Sequence, residues 1–366
     1  MNLIELHIVQ SFPVTCLNRD DLGSPKSAIF GGVERARVSS QCWKRAVRAY
    51  ASENAPALFA GVRSKLVGPA IEQAAKSLGC SNEEAAAYAR IIVSKLGKDK
   101  SAGEVKTLLY FSPESLGNMV KRIKASNMVT DEMIAAILQE DVKKSEKALK
   151  VATDSVDKAL KGLGDAVSDA ADIALFGRMV ADDASQTVEG AAMFSHALST
   201  HAVRSDLDFF SAVDDFRKDA EDAGAGHIGT TEFNSACYYR YVGINLDLLR
   251  KSKLFDQADL KPVLDGFIRA VVMANPVARR NAMFGYTLPA CVLGLRRKGQ
   301  PLSLANAFEK PVSGHGGLVE ESVAKLKDEW GSMKDTFGLD ESVRVDLEKG
   351  GKTLEDLVAE LTGNLG

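Results

Sequence analysis

The sequence predicts an α+β protein that carries a helical insertion. Three observations predict it. The opening residues, MNLIELHIVQ, alternate apolar with polar side chains at the period of a strand. From about Pro56 to Leu163 the apolar residues recur at helical spacing. Beyond that block, strand-like and helix-like stretches alternate. A chain of 366 residues has room for roughly two domains, or one domain with a large insertion.

The elements follow in order. Ile4, Leu6 and Ile8 share one face of the first strand. A loop comes next, then a helix over 39–50, with Ser39 or Ser40 suited to cap it. In the helical block, Ile71, Ala74, Ala75 and Leu78 form one stripe, and Tyr88, Ile91, Ile92 and Leu96 a second. Ile134, Ile137, Leu138 and Val142 form a third, and Val156, Leu160, Leu163 and Val167 a near-heptad. Strand texture returns at Asp172–Val180, Ala236–Leu246 and Met283–Leu295. Helices are expected over 186–200, 261–274, 321–336 and 353–362.

Bulk composition narrows the function classes. The apolar fraction of 45% and charged fraction of 26% suit an ordinary globular protein. A net charge of -3 argues against indiscriminate coating of nucleic acid, yet leaves room for a local basic groove. Five scattered cysteines, odd in number and in no CxxC pair, suggest a reduced, cytoplasmic protein without a zinc site. The N-terminus has no basic stretch ahead of an apolar core, so it reads as a strand and not a signal peptide. No apolar run approaches the ~18 residues of a membrane span.

One segment stands out chemically. Between residues 19 and 48 there are seven basic side chains (Arg19, Lys26, Arg35, Arg37, Lys44, Arg45, Arg48) against three acidic ones (Asp20, Asp21, Glu34). Gln41, Lys44, Arg45 and Arg48 fall at i, i+3, i+4 and i+7, so they share a helix face. Trp43, Val47 and Tyr50 lie on another face, fit to pack on a sheet. A helix N-terminus offers unpaired N–H groups, and arginine offers forked donors for phosphate oxygens. Gly31-Gly32 lets a backbone pass close to a ligand. These features suit a sugar-phosphate backbone. They equally suit a solvated helix face beside a surface loop.

The same stretch carries a family resemblance. LNRDD, AIFGG and RVSSQCWKRAVR resemble the N-terminal signature of the CasC-type backbone subunit of the type I-E CRISPR Cascade. ADIALFGRMV is similar to that family's central strand. AAMFSHALSTHAVRSDLDFFSAVDDF and GHIGTTEFNSACYYRYVGINL resemble its thumb and the strand that follows. PLSLANAFEKPV resembles its C-terminal segment, and the helical block is the poorest match.

The resemblance implies an RRM-like (ferredoxin-like) palm over 1–55 and 166–366, with a helical finger domain inserted over 56–165 and a protruding thumb at 203–233. It implies several copies stacked as a helical filament on one CRISPR RNA, with the bases presented to a target DNA strand. It implies further Cascade partners: a subunit on the 5′ handle, an RNA-processing endonuclease at the 3′ hairpin, and large and small subunits. A recruited helicase-nuclease does the cutting, so the chain itself is expected to be no enzyme, and no cofactor, metal or membrane is expected. Arg19, Lys26, Ser39, Ser40, Gln41, Lys44, Arg45 and Arg48 match the family's RNA-backbone motif. Val33 stands where the family often has a lysine, which removes a phosphate contact there. Phe209, Phe210 and Val213 are implied as an apolar wedge, with Met179 facing a base.

Alternatives remain at three places. By spacing, 207–216 also suits an amphipathic helix packed inside, with Phe209, Phe210, Val213 and Phe216 as its apolar side. Lys143, Lys144, Lys147 and Lys150 could touch a DNA duplex, or form a solvated face among Glu140, Asp141 and Glu146. Asp20-Asp21 could hold Mg²⁺ for RNA cleavage of the type III kind, or orient Arg19 and the loop amides. A stand-alone single-strand RNA-binding module is a further reading. Two matches fail on context. The GxGxxG at 224–229 follows DAEDA and not a buried strand, and Gly351-Lys352-Thr353 lacks the first P-loop glycine. His196 and His201 are five apart, the wrong spacing for a helical metal pair.

Overall fold

The computed structural model describes residues 1–97, 103–160, 170–179, 187–212 and 227–365. In chain order the elements are β1 (Asn2–Thr15), β2 (Ser27–Phe30), β3 (Val33–Val38), α1 (Ser40–Asn54), β4 (Val62–Leu66), α2 (Gly68–Ser77), α3 (Asn82–Leu96), β5 (Glu104–Phe111), α4 (Pro113–Ser126), α5 (Asp131–Leu138), α6 (Val142–Leu160), α7 (Ala171–Phe176), β6 (Ala192–Phe194), β7 (Ala197–Ser199), β8 (Asp206–Ala212), β9 (His227–Asn245), α8 (Leu246–Lys251), α9 (Leu260–Met273), β10 (Cys291–Lys298), α10 (Leu318–Phe337), β11 (Val343–Glu348) and α11 (Leu354–Thr362). They form a mixed α+β protein with antiparallel sheets. Two compact units result: Met1–Tyr50 with Ala192–Asp247 and Leu264–Gly366, and Ala51–Ala191 with Leu248–Val263. No helix among the described residues is long and apolar enough to cross a membrane.

The first unit is built on a sheet in the order β11-β10-β1-β9-β7-β3-β2, with β6 and β8 also paired to β9. β1 runs between β10 and β9, antiparallel to both. Ile4, Leu6 and Ile8 do share a face, as the alternation predicts, but the opposite face is buried too: Leu3, Glu5, His7 and Val9 are all 0–1% exposed. On the Ile8 side, Phe12 and Tyr238 pack with Trp43 of α1. Arg240, opposite Ile8, stacks its guanidinium 4.0 Å from the Trp43 ring and donates from Nη1 to the Val271 carbonyl of α9 (2.9 Å). On the Val9 side, Tyr239, Tyr241 and Leu293 pack with Leu304, Phe308, Leu326 and Trp330.

The polar residues of β1 fit this double burial because the surroundings satisfy them. Glu5 forms a buried ion pair with Arg297 and accepts from the Tyr241 hydroxyl (2.7 Å) and the Leu302 amide (2.9 Å). His7 Nδ1 meets the Tyr239 hydroxyl at 3.0 Å, and burial with the Arg297 charge pushes its pKa down to about 3. Gln10 donates to Asn275 and accepts from Arg240. All five cysteines are free.

Among the described residues of the second unit, an apolar cluster drawn from α2 to α6 and β5 contains Ile71, Ala75, Tyr88, Ile91, Ile92, Leu96, Ile134, Ile137 and Val156. The periodic stripes therefore face one core, and their burial drives it. α3 begins with a full capping box between Ser81 and Glu84. Val142, expected in a stripe, is 68% exposed at the start of α6. Leu163 and Val167 lie outside the described residues.

Four expectations are corrected. The block from Pro56 to Leu163 contains a two-stranded sheet, β4 with β5. Asp172–Val180 begins with the short helix α7, not a strand: Asp172 is buried and accepts from the Tyr110 hydroxyl (2.5 Å). The stretch 186–200 holds the strands β6 and β7, not a helix, because both add to β9. The strand expected from Met283 starts only at Cys291.

Candidate nucleic-acid interface

The basic stretch folds into a loop, a hairpin and a helix held together by side chains. Ser39 caps α1, its Oγ accepting from the Cys42 amide (3.3 Å). The Ser39 amide in turn donates to Asn18 Oδ1 (2.9 Å), while the Lys26 amide donates to the Asn18 carbonyl (2.9 Å). Asn18 thus fixes the Arg19–Lys26 loop against the start of the helix. The sequence reading passed over it, although it lies inside the LNRDD motif.

α1 presents the expected faces. Trp43, Val47 and Ala51 are buried at i, i+4 and i+8, while Gln41 and Arg45 are exposed and Lys44 and Arg48 flank them half-buried. Lys44 lies 5.5 Å from the Phe194 ring centroid. Burial pushes the Cys42 thiol up, against the opposing pull of Arg45 and Lys26. The shared bonds of the Lys26 and Ser39 amides to Asn18 place Lys26 beside the start of α1. Ser39 is buried and its hydroxyl caps, so it differs from Ser40, whose Oγ is outward beside Gln41.

Two parts of the stretch have a structural use. Arg35 is fully buried and donates to the carbonyls of Phe30 (3.1 Å), Ser199 (3.0 Å), Phe308 (2.8 Å) and Glu309 (3.1 Å). Gly31, expected to admit a ligand, admits the chain itself: at φ +60° its missing Cβ would lie 1.8 Å from the Glu309 carbonyl oxygen. AIFGG and AFEKPV are thus two halves of one contact. Asp20 Oδ1 accepts from the amides of Leu22 and Ser24 (2.9 Å each), which ties the carboxylate to its own loop.

The remaining expected residues lie elsewhere. Residues 206–212 are the strand β8, not an internal helix; it pairs with the first third of β9. Phe209 is 73% exposed and Phe210 44%. Adjacent strand residues point to opposite faces, so Leu207 and Phe209 share one side and Phe210 the other. The Phe210 ring lies over Gly229, where a Cβ would come within 2.5 Å of it. Val213 and Phe216 lie outside the described residues. Met179 is 79% exposed on the segment after α7 in the second unit, beside the Arg178–Val188 bridge. Lys143, Lys144, Lys147 and Lys150 are all exposed on α6, with Asp141 3.8 Å from Lys144.

Near the foot of the hairpin, Arg279 donates to Thr231 Oγ1 (3.0 Å), and together with Arg19 it pulls down a Cys16 thiol that burial pushes up. An open cleft of about 360 Å³ beside it is lined by Thr15, Leu17, Arg280, Met283 and Tyr286. No short motif in the sequence marks Arg279 or Arg280.

The first unit thus combines a central strand buried on both faces, an exposed basic helix face and a strand pair with exposed apolar side chains. The chain belongs to the family of CT1975-like proteins, a Cas family whose model matches residues 4–363. It is similar to a chain of a solved structure described as a CRISPR RNA-guided surveillance complex, pre-nicking, at 29% identity and a TM-score of 0.76, over 93% of this chain and 90% of that one. It is also similar to a chain of a CRISPR RNA-guided surveillance complex at 25% identity and a TM-score of 0.58, over 98% of this chain and 92% of that one. No curated protein matches.

Proposed function

We propose that this chain is the backbone subunit, of the CasC type, of a CRISPR RNA-guided DNA surveillance complex of type I-E kind. Several copies form a helical filament along one CRISPR RNA, hold its phosphates, and leave its bases free to pair with a target DNA strand. The observation that carries this reading is the exposed face of α1, with Gln41 and Arg45 outward and Lys26 at its capped N-terminus. Such a surface binds phosphate without reading sequence, and pairing then reads sequence, as in other RNA-guided effectors.

The palm is of the RRM-like type. The order β10-β1-β9-β7, with α1 after β1 and α9 before β10, supports that topology. Because helices and loops cover both sheet faces, RNA is gripped at the helix and sheet edge and not on the sheet. The β8–β9 hairpin serves as the thumb, with Leu207 and Phe209 as the apolar side that meets RNA bases or a neighbouring copy. The α6 lysines face the target DNA. The subunit itself is no enzyme, and a recruited helicase-nuclease cuts. The engagement of Asp20 with its own loop amides supports its role in shaping the Arg19 loop.

The test is RNA binding by the purified chain as salt is varied. Arg45→Ala plus Arg48→Ala should weaken binding equally for unrelated RNA sequences and reduce the slope of log affinity against log salt by about 1.4. A loss confined to some sequences would remove the phosphate-holding role.

A further inference from the structure

The end of the sheet nearest α1 carries a basic row that the expected RNA-backbone residues only partly include. Ser27 pairs with Ala36, which sets Lys26 across from Arg37, and the Arg37 amide donates to the Lys26 carbonyl (2.8 Å). Arg37 pairs with Leu198, which sets His196 diagonally beside it on the same face. The side chains meet as this register requires. Arg37 donates from Nε to the Ser27 carbonyl (3.2 Å) and from Nη1 to His196 Nδ1 (3.3 Å).

An arginine N–H can only donate, so Nδ1 accepts and the ring proton sits on Nε2. His196 is exposed, and its pKa is lowered by partial burial and by the cations Arg37 and Lys26. Arg37 has five N–H donors, and these two bonds engage two of them.

We infer that Arg37 and His196, together with Lys26, form a second anion-contact row that extends the α1 cradle across β2, β3 and β7, with Arg37 supplying charge and His196 a neutral N–H donor to the RNA backbone. This rests on the phosphate-holding role of α1 proposed above.

The experiment measures binding of a labelled poly-uridine RNA by the purified full chain as a function of salt, with the Arg45→Ala plus Arg48→Ala chain as reference. Arg37→Gln should weaken binding and lower the salt slope by about 0.7, and Arg37→Lys should keep the slope. His196→Leu should weaken binding threefold to tenfold, about the worth of one hydrogen bond, with an unchanged slope, and His196→Gln should restore it.

Wild-type affinity and slope in Arg37→Gln and His196→Leu, beside an impaired reference chain, would overturn the second row and leave the α1 cradle standing. An unimpaired reference chain would instead overturn the cradle, and the row with it. Weaker binding by His196→Leu that His196→Gln fails to restore would also overturn the donor role.

Discussion

The two ends of β9 present the same backbone pairing in opposite surroundings. Residues 236–245 lie between β1 and the strands β6 and β7, where Tyr239, Arg240 and Tyr241 are each buried and each hydrogen-bonded by a side chain. Residues 227–233 pair, among the described residues, with β8, and that hairpin exposes Leu207 and Phe209. Strand formation therefore does not depend on burial along this element. The inner end is fixed by what its side chains touch, whereas the outer end leaves the apolar side chains Leu207 and Phe209 in solvent. An apolar pair held on a ladder without a core has no stabilising role of its own.

Breaking the inner end should have the largest effect. Glu5→Gln removes the partner of a buried Arg297 and should cost about 3–5 kcal/mol in urea unfolding. Tyr239→Ala, in the same buried cluster, should cost about 3–5 kcal/mol through the cavity it leaves. The next effect is pH dependence. The unfolded chain takes up a proton at His7 below its ordinary value of 6.5, while the folded protein holds that pKa near 3. The folded pKa is the lower one, so stability is full above 6.5 and falls with acidification, by about 1.4 kcal/mol per pH unit from that group. His7→Phe should flatten this part of the stability profile, and an unchanged profile would remove His7 as the cause. The smallest stability effect should come from the outer end. Phe209→Ala should change unfolding free energy by less than about 0.5 kcal/mol while impairing assembly with RNA. A loss of stability equal to that of an inner-end variant would erase the contrast between the two ends.

The sequence made legible what repeats. α1, α9, α10 and α11 follow from apolar residues at helical spacing, and the second unit's core follows from its stripes. The strands β3 and β11 are short and rich in charge, as in VERARV and VRVDLE, so their apolar content gives little signal, and β2 (SAIF) is only four residues long. α7 and β6 are set by tertiary contacts: Asp172 by Tyr110, and Ala192–Phe194 by pairing with β9. At the candidate site, the exposed face of α1 could be read from residue spacing. The separation of Arg35 from half-buried Arg37 on the same strand face could not, since full burial of Arg35 depends on residues 308 and 309. The meeting of His196 with Arg37 was hidden for the same reason, because the β3–β7 register brings the two together.

The junction of Gly31 and Arg35 with Phe308 and Glu309 has a consequence for how the protein is made. β1 pairs with β9 and β10, and two of the four carbonyl partners of the buried arginine of β3 lie more than 270 residues downstream. The segment synthesised first is thus among the last to be fixed, and contacts so distant in the chain make folding slow. An emerging chain displays the Arg19–Arg48 stretch long before its geometry exists, so the proposed RNA-holding surface forms only in the finished subunit.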